Sequence, residues 1–141
     1  LGFPRPVVVA CNGHAVAQGA FLLLAADLRL GAAGDFRIGL NEVAIGLTIP
    51  HYGVEVARLR LTPPWFNRAS TTGALFGPED ACAAGFLDRV VAPEVLLEEA
   101  RAEALRLTAI DPVAHAFTKQ RVRGHALAAI REGIESEFAA A

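Results

Sequence analysis

The sequence predicts an α/β fold in which a β-rich first part leads into a helical second part. Short apolar runs, rich in β-branched residues and bounded by Gly, Pro or Asn, occupy the first third of the chain. From Tyr52 onward, apolar side chains recur at helical spacing instead. We divide the chain into residues 1–61 and 62–141. A β-rich segment followed by helices is an α/β or α+β plan.

The first part contains one buried helix among short strands. Residues 7–11 form a β-branched run that ends at the Asn12-Gly13 turn. Residues 16–26 are almost wholly apolar, but they are shorter than the stretch of about 20 residues that a membrane span requires. Residues 28–30 and 36–38 alternate apolar and charged side chains, as strands do. The predicted order is therefore β-α-β-β.

From residue 52 onward, proline and glycine delimit most of the elements. A proline in the first turn favours a helix start, and a glycine just past the last turn favours its end. With these signals and the apolar periodicity, we predict helices over residues 52–61, 63–72, 78–84, 93–107, a further helix opening at 111–112 and a last helix over 130–138, with a strand over 86–91.

Composition excludes several classes of function. The net charge of −2 provides no basic surplus for nucleic acid, and no segment suits a membrane. Cys11 and Cys82 stand alone, without metal-ligand spacing, so we predict no metal site and a reducing, cytoplasmic location. The chain opens without Met and runs at once into a core strand, so we expect that it is a piece of a longer protein.

Residues 12–19 are the first candidate for chemistry. They join a strand to a buried helix, and the first N–H groups of a helix have no partners within it. The backbone N–H groups of Gln18 and Gly19 are the candidate donors for an oxyanion, and Gly19 permits close approach. The alternative is an ordinary strand-turn-helix join whose N–H groups contact water or a cap.

Glu42 is the second candidate. It lies in an otherwise apolar stretch, where a carboxylate is costly to bury unless it is partnered or functional. Proton transfer by a positioned carboxylate is the corresponding chemistry. The alternative is a Glu at the edge of a helix or loop that reaches solvent.

Together these segments resemble the crotonase superfamily. The residues that carry the resemblance are 6–13 through Asp27-Leu28-Arg29, Ile38-Gly39-Leu40-Asn41-Glu42 with Gly46 and Pro50, and 77–81 through 85–91. The second of these is most similar to mitochondrial-type Δ3,Δ2-enoyl-CoA isomerases. The resemblance covers essentially the whole chain. It implies that residues 1–61 are the later part of a core built from β-β-α units, with the oxyanion turn and the acid/base Glu, and that residues 62–141 are a helical region for oligomer contacts and acyl-pocket closure.

The resemblance also implies a substrate, an assembly and site residues. The substrate is an acyl-CoA, the coenzyme A belongs to the substrate so that no other cofactor is needed, and the helical region makes trimers or dimers of trimers. Two backbone N–H groups hold the thioester oxygen. One of them is that of Gln18, in a triplet that is Gly-rich in the family; the other, with much of the CoA pocket, belongs to a region that precedes this chain.

A further departure from the family favours isomerisation over hydration. Enoyl-CoA hydratases of the family carry a Glu at the position of Phe21, and hydration uses two carboxylates, whereas shifting a double bond needs one. The resemblance therefore implies that Glu42 moves the proton by itself. A hydratase and a catalytically silent fragment are the alternatives.

Weaker candidates surround these. On the resemblance, His51 and Tyr52 face the acyl pocket, although such residues often only pack, and Phe21 is a further candidate for substrate binding. A basic cluster of Lys119, Arg121 and Arg123 is the candidate for the CoA phosphates, and a solvated helix face is its alternative.

Overall fold

The structure, a computed structural model, describes residues 1–139. Residues 140 and 141, the last two of the predicted second part, lie outside the described residues. The elements are β1 (Val8–Cys11), β2 (Ala15–Val16), α1 (Gln18–Ala25), β3 (Leu28–Ala32), β4 (Ile38–Gly39), α2 (His51–Arg60), α3 (Pro63–Thr72), β5 (Leu75–Phe76), α4 (Pro78–Ala84), β6 (Arg89–Val91), α5 (Leu96–Leu107) and α6 (Pro112–Phe138). Single 3₁₀ turns occupy Glu42–Ile45 and Pro93–Val95.

The strands form two small sheets. One has the order β1-β3-β6 and is parallel throughout; in the other, β4 pairs with β2 in parallel and with β5 in antiparallel. Because β5 and β6 come from the second predicted part, both sheets join the two parts. The separate roles predicted for residues 1–61 and 62–141 stay predictions.

Pairing corrects the predicted elements of the first part. Val16 belongs to β2, where it pairs with Gly39, so the helix predicted from residue 16 begins at Gln18. The strand predicted over residues 36–38 is confined to Ile38–Gly39. The observed order is therefore β-β-α-β-β. A two-residue strand has no periodicity of its own and is defined only by its partner.

In the second part, proline and glycine predicted the bounds of two helices correctly. The bounds of α3 and α4 are confirmed, and α4 ends at Gly85 with φ 102°. The strand predicted over 86–91 is shorter, the helix predicted from residue 93 begins at Leu96 after a 3₁₀ turn, and β5 was not predicted. The two last predicted helices are one, because α6 continues through Gly124 and Gly133.

The main core contains residues from α1, α2, α3 and α4. Phe21, Leu24 and Phe86 are buried there. A β-carbon on Gly53 would lie 2.5 Å from the Phe21 ring, so a glycine lets α2 approach α1 closely. No helix within residues 1–139 is long and apolar enough to cross a membrane.

Candidate active site

The pairing of β2 with β4 brings the two candidate segments together. Val16 pairs with Gly39, and the N–H of Ala17 donates a hydrogen bond of 3.0 Å to the carbonyl of Gly39. Because the strands are parallel, the residues that follow them leave from the same sheet edge. Gln18 and Glu42 are therefore carried by neighbouring segments.

The turn before α1 presents free donors. Its backbone is unusual, since Ala17 has φ 53° and ψ −120°, a region that favours glycine. The carbonyl of Ala17 accepts hydrogen bonds from Ala20 and Phe21, whereas none of residues 1–139 accepts one from the N–H of Gln18 or Gly19. A β-carbon on Gly19 would meet nothing within 4 Å, so the space beside the donors is open.

Glu42 is buried, with 5% of its surface exposed. The alternative that it reaches solvent from an edge is therefore wrong. It begins the 3₁₀ turn Glu42–Ile45, which Gly46 ends at φ 78°, and its own carbonyl accepts a 2.9 Å hydrogen bond from the N–H of Leu47. Its Oε2 is buried and finds no hydrogen-bond partner among residues 1–139. Such an oxygen calls for an explanation, and contact with a reacting group is one.

Exposed apolar side chains follow Glu42 in the sequence. Val43, Ile45 and Leu47 are exposed although each is hydrophobic. Val43 and Leu47 also line an apolar groove of about 340 Å³ that reaches Phe66 on α3. An acyl group or another protein surface would suit these side chains better than water.

Phe21 and Tyr52 pack against each other beside the turn. The rings meet edge to face with their centroids 5.8 Å apart, and Phe21 is buried. The Tyr52 hydroxyl donates a 2.8 Å hydrogen bond to Oε1 of Gln18. The N–H of His51, by contrast, donates to Glu137 Oε2 at 3.0 Å, and its side chain is exposed. The acyl-pocket role of His51 and Tyr52 stays a prediction.

The basic cluster is divided by the structure. Lys119 Nζ and Arg123 Nη2 each lie 2.6 Å from a carboxylate oxygen of Asp27, and both cations are buried, whereas Arg121 is exposed. Burial alone would raise the pKa of Asp27, but the Lys119 and Val7 hydrogen bonds and the Arg123 charge outweigh it and lower that pKa. The phosphate role stays a prediction, and Lys119 and Arg123 already have a partly buried counter-ion in Asp27.

Two features of the site were not predicted. The spacing of 34 residues between Gln18 and Tyr52 gives no sign of their hydrogen bond. The positive φ of Ala17 could not be predicted from an alanine. The only indication was the resemblance, because the family has glycines in this triplet and glycine favours positive φ.

Similarity to known proteins identifies the family to which the chain belongs. The profile of the enoyl-CoA hydratase/isomerase family matches residues 1–139. The chain belongs to that family. Among curated relatives, carnitinyl-CoA dehydratase of Citrobacter koseri is 32% identical over 92% of this chain and 49% of its own length. The probable enoyl-CoA hydratase EchA17 of Mycobacterium tuberculosis is 34% identical over 96% and 47%. The chain thus spans about half the length of these enzymes.

Solved structures of family members give the same result for the fold. A hydratase/isomerase family protein from Pseudomonas syringae matches with a TM-score of 0.94 and 51% identity, over 96% of this chain and 59% of its own. The enoyl-CoA hydratase EchA3 of Mycobacterium ulcerans gives 0.91 and 48%, over 95% and 58%. An enoyl-CoA isomerase from Mycobacterium tuberculosis gives 0.93 and 46%, over 97% and 62%. The chain has the crotonase fold, and its relatives bear hydratase, dehydratase and isomerase names.

Proposed function

We propose that the protein to which this chain belongs shifts a double bond in an enoyl-CoA thioester. The observation that carries the proposal concerns the described residues 1–139: Oε2 of Glu42 is buried and has no hydrogen-bond partner among them, and the neighbouring segment carries the N–H groups of Gln18 and Gly19, which have no acceptor among them. One carboxylate is enough for this reaction, because it can take a proton from one carbon and return it to another.

The proposed steps conserve the substrate's atoms. Glu42 accepts a proton from the carbon next to the thioester carbonyl, and the electron pair moves onto the carbonyl oxygen to give a dienolate. The N–H of Gln18, with a second donor from outside this chain, holds that oxygen. Electrons then return from the oxygen, the double bond moves, and Glu42 gives the same proton to the γ-carbon.

Hydration of an enoyl-CoA is the second candidate, and the names of the relatives favour it. It needs a second carboxylate to complement Glu42. The position that holds this carboxylate in family hydratases is Phe21 here, and the ring is buried against Tyr52. A hydratase would therefore need to take its second acid from the rest of the protein, and that requirement favours the isomerase.

We extend the proposal to substrate, assembly and location. An acyl-CoA brings its own coenzyme, so these steps need no other cofactor. Exposed apolar side chains on α5 and α6, including Leu105, Val113, Phe117 and Val122, support self-association, and the family resemblance favours a trimer or a dimer of trimers. The free Cys11 and Cys82 support a reducing, cytoplasmic location.

The test replaces Glu42 with Gln in the full-length protein. Since Gln keeps the shape but cannot accept the proton, we expect turnover of a 3-enoyl-CoA to fall by roughly 10²- to 10⁴-fold. The assay follows formation of the 2-enoyl-CoA, and a parallel assay follows hydration of a 2-enoyl-CoA. Glu94→Gln, at an exposed position in the other 3₁₀ turn, is the matched control and is expected to turn over at the wild-type rate.

Unchanged isomerisation by Glu42→Gln would contradict the proposed role. A wild-type protein that hydrates 2-enoyl-CoA much faster than it isomerises 3-enoyl-CoA would move the assignment to the hydratase.

A further inference from the structure

The side chain of Gln18 poses a problem for the site in which it lies. Residue 18 supplies a backbone donor at the start of α1, and its side chain is exposed beside that donor. A glutamine Oε1 is a good acceptor on a flexible stem. The side chain begins at the residue that carries the first donor, so its flexible stem allows Oε1 to approach the N–H of Gln18 or of Gly19. Left free, Oε1 would thus compete with a substrate oxygen for the N–H of Gln18 or Gly19.

The structure shows that this oxygen is already engaged. The Tyr52 hydroxyl donates to Oε1 of Gln18 at 2.8 Å, and the two N–H groups have no acceptor among the described residues 1–139. The hydrogen bond therefore directs the competing acceptor towards α2, while the turn stays open for a ligand.

Tyr52 is itself well anchored. Its ring contacts the buried Phe21 edge to face, and the neighbouring Gly53 lets α2 lie directly on that ring. On the other side of α2, Glu137 of α6 accepts a hydrogen bond from the N–H of His51. Contacts with two helices thus fix the start of α2, so the hydroxyl has a defined position relative to α1.

We propose that Tyr52 is a positioning residue for the turn before α1, which carries the N–H donors of Gln18 and Gly19. It acts by holding the Gln18 side chain away from these donors. The inference rests on the proposed use of these donors for a thioester oxygen. It makes Gln18 and Tyr52 an interdependent pair: the tyrosine hydroxyl matters because residue 18 has an amide side chain.

The test is a double-mutant cycle in the full-length protein. Tyr52→Phe removes the hydroxyl and keeps the ring, and Gln18→Ala removes the competing acceptor; the wild type, both single variants and the double variant are compared. The readouts are kcat/KM for 3-enoyl-CoA isomerisation and Kd for acetoacetyl-CoA by calorimetry. The second ligand carries a thioester oxygen but undergoes no double-bond shift. Thermal melts check that all four proteins fold.

We expect the Tyr52→Phe change to lower kcat/KM and weaken acetoacetyl-CoA binding by roughly three- to tenfold when residue 18 is Gln, as one competing hydrogen bond would. When residue 18 is Ala, the same change should alter neither quantity. An equal loss in both backgrounds, or no loss in the Gln18 background, would overturn the proposal. If no variant, including the wild type, isomerises 3-enoyl-CoA, the proposed function fails, and the binding constants still decide the role of Tyr52.

Discussion

At the scale of single residues, Ala17 has the least ordinary backbone in the site. It is the one non-glycine residue with positive φ among residues 1–139. A residue held in such a region stores roughly 1–3 kcal/mol of strain, and strain of this kind clusters at functional sites. Ala17 directly precedes the N–H groups of Gln18 and Gly19, which have no acceptor among residues 1–139.

We expect Ala17→Gly to raise the free energy of unfolding by about 1 kcal/mol, because glycine adopts φ 53° without strain and loses part of that gain to its greater unfolded-state freedom. Urea unfolding measures the change. Ala102→Gly is the matched control: it lies within α5, where glycine should lower stability by about 1 kcal/mol. A loss of similar size at both positions would show that Ala17 is not strained.

At the scale of elements, the crossing of α6 over the start of α2 depends on Gly133. A β-carbon there would lie 2.7 Å from the β-carbon of His51, so the helices could not keep their separation. One turn later along α6, Glu137 contacts the N–H of His51. The position of α2, and with it that of Tyr52, therefore depends on the second half of α6.

We expect Gly133→Ala to lower the free energy of unfolding by roughly 1–3 kcal/mol, because the added methyl group overpacks the helix crossing. Gly124→Ala makes the same change in the same helix, where an added β-carbon meets nothing within 4 Å. That variant should gain about 0.5–1 kcal/mol from the loss of a helical glycine. Thermal or urea unfolding distinguishes them, and a gain at Gly133 would mean that the helices separate freely.

At the scale of the whole molecule, Asp27 links the beginning of the described chain to its end. Its carboxylate accepts hydrogen bonds from the N–H of Val7 and from Lys119 and Arg123 of α6, which are 92 and 96 residues away in sequence. Lys119 and Arg123 also donate to the carbonyls of Arg5 and Leu1. This cluster fastens residues 1–7 to the last helix.

We expect Asp27→Asn to lower the free energy of unfolding by roughly 3–5 kcal/mol, because it leaves two buried cations without their counter-ion. The pKa of Asp27 is lowered in the folded state. The carboxylate therefore stabilises the fold fully at pH values above its unfolded-state pKa of about 3.9, and this stabilisation is lost as pH falls through the folded-state pKa. Urea unfolding between neutral and acid pH should thus show a steeper acid loss for the wild type than for the variant. Asp35→Asn, at an exposed ion pair, is the control; an equal slope in the wild type and Asp27→Asn would contradict the assignment.

The sequence predicted what is local and missed what depends on distant partners. Proline and glycine gave the bounds of α3 and α4, and a glutamate in an apolar stretch led to the buried Glu42. The strands β2 and β5 have two residues each and exist only through pairing. The sequence showed that Lys119 and Arg123 form a basic cluster. It did not show that Asp27 is their partner, because Asp27 is 92 and 96 residues away from them.

The register between β2 and β4 has a consequence for how such a protein can diverge. The turn before α1 and the segment that carries Glu42 are aligned by main-chain pairing, Ala15 with Ile38 and Val16 with Gly39. Because the main chain makes these hydrogen bonds, side-chain substitutions other than proline do not remove a donor or acceptor from them. Relatives can therefore differ in side chains such as Phe21 or Gln18 without losing this alignment, and the names of the similar proteins include dehydratase, hydratase and isomerase.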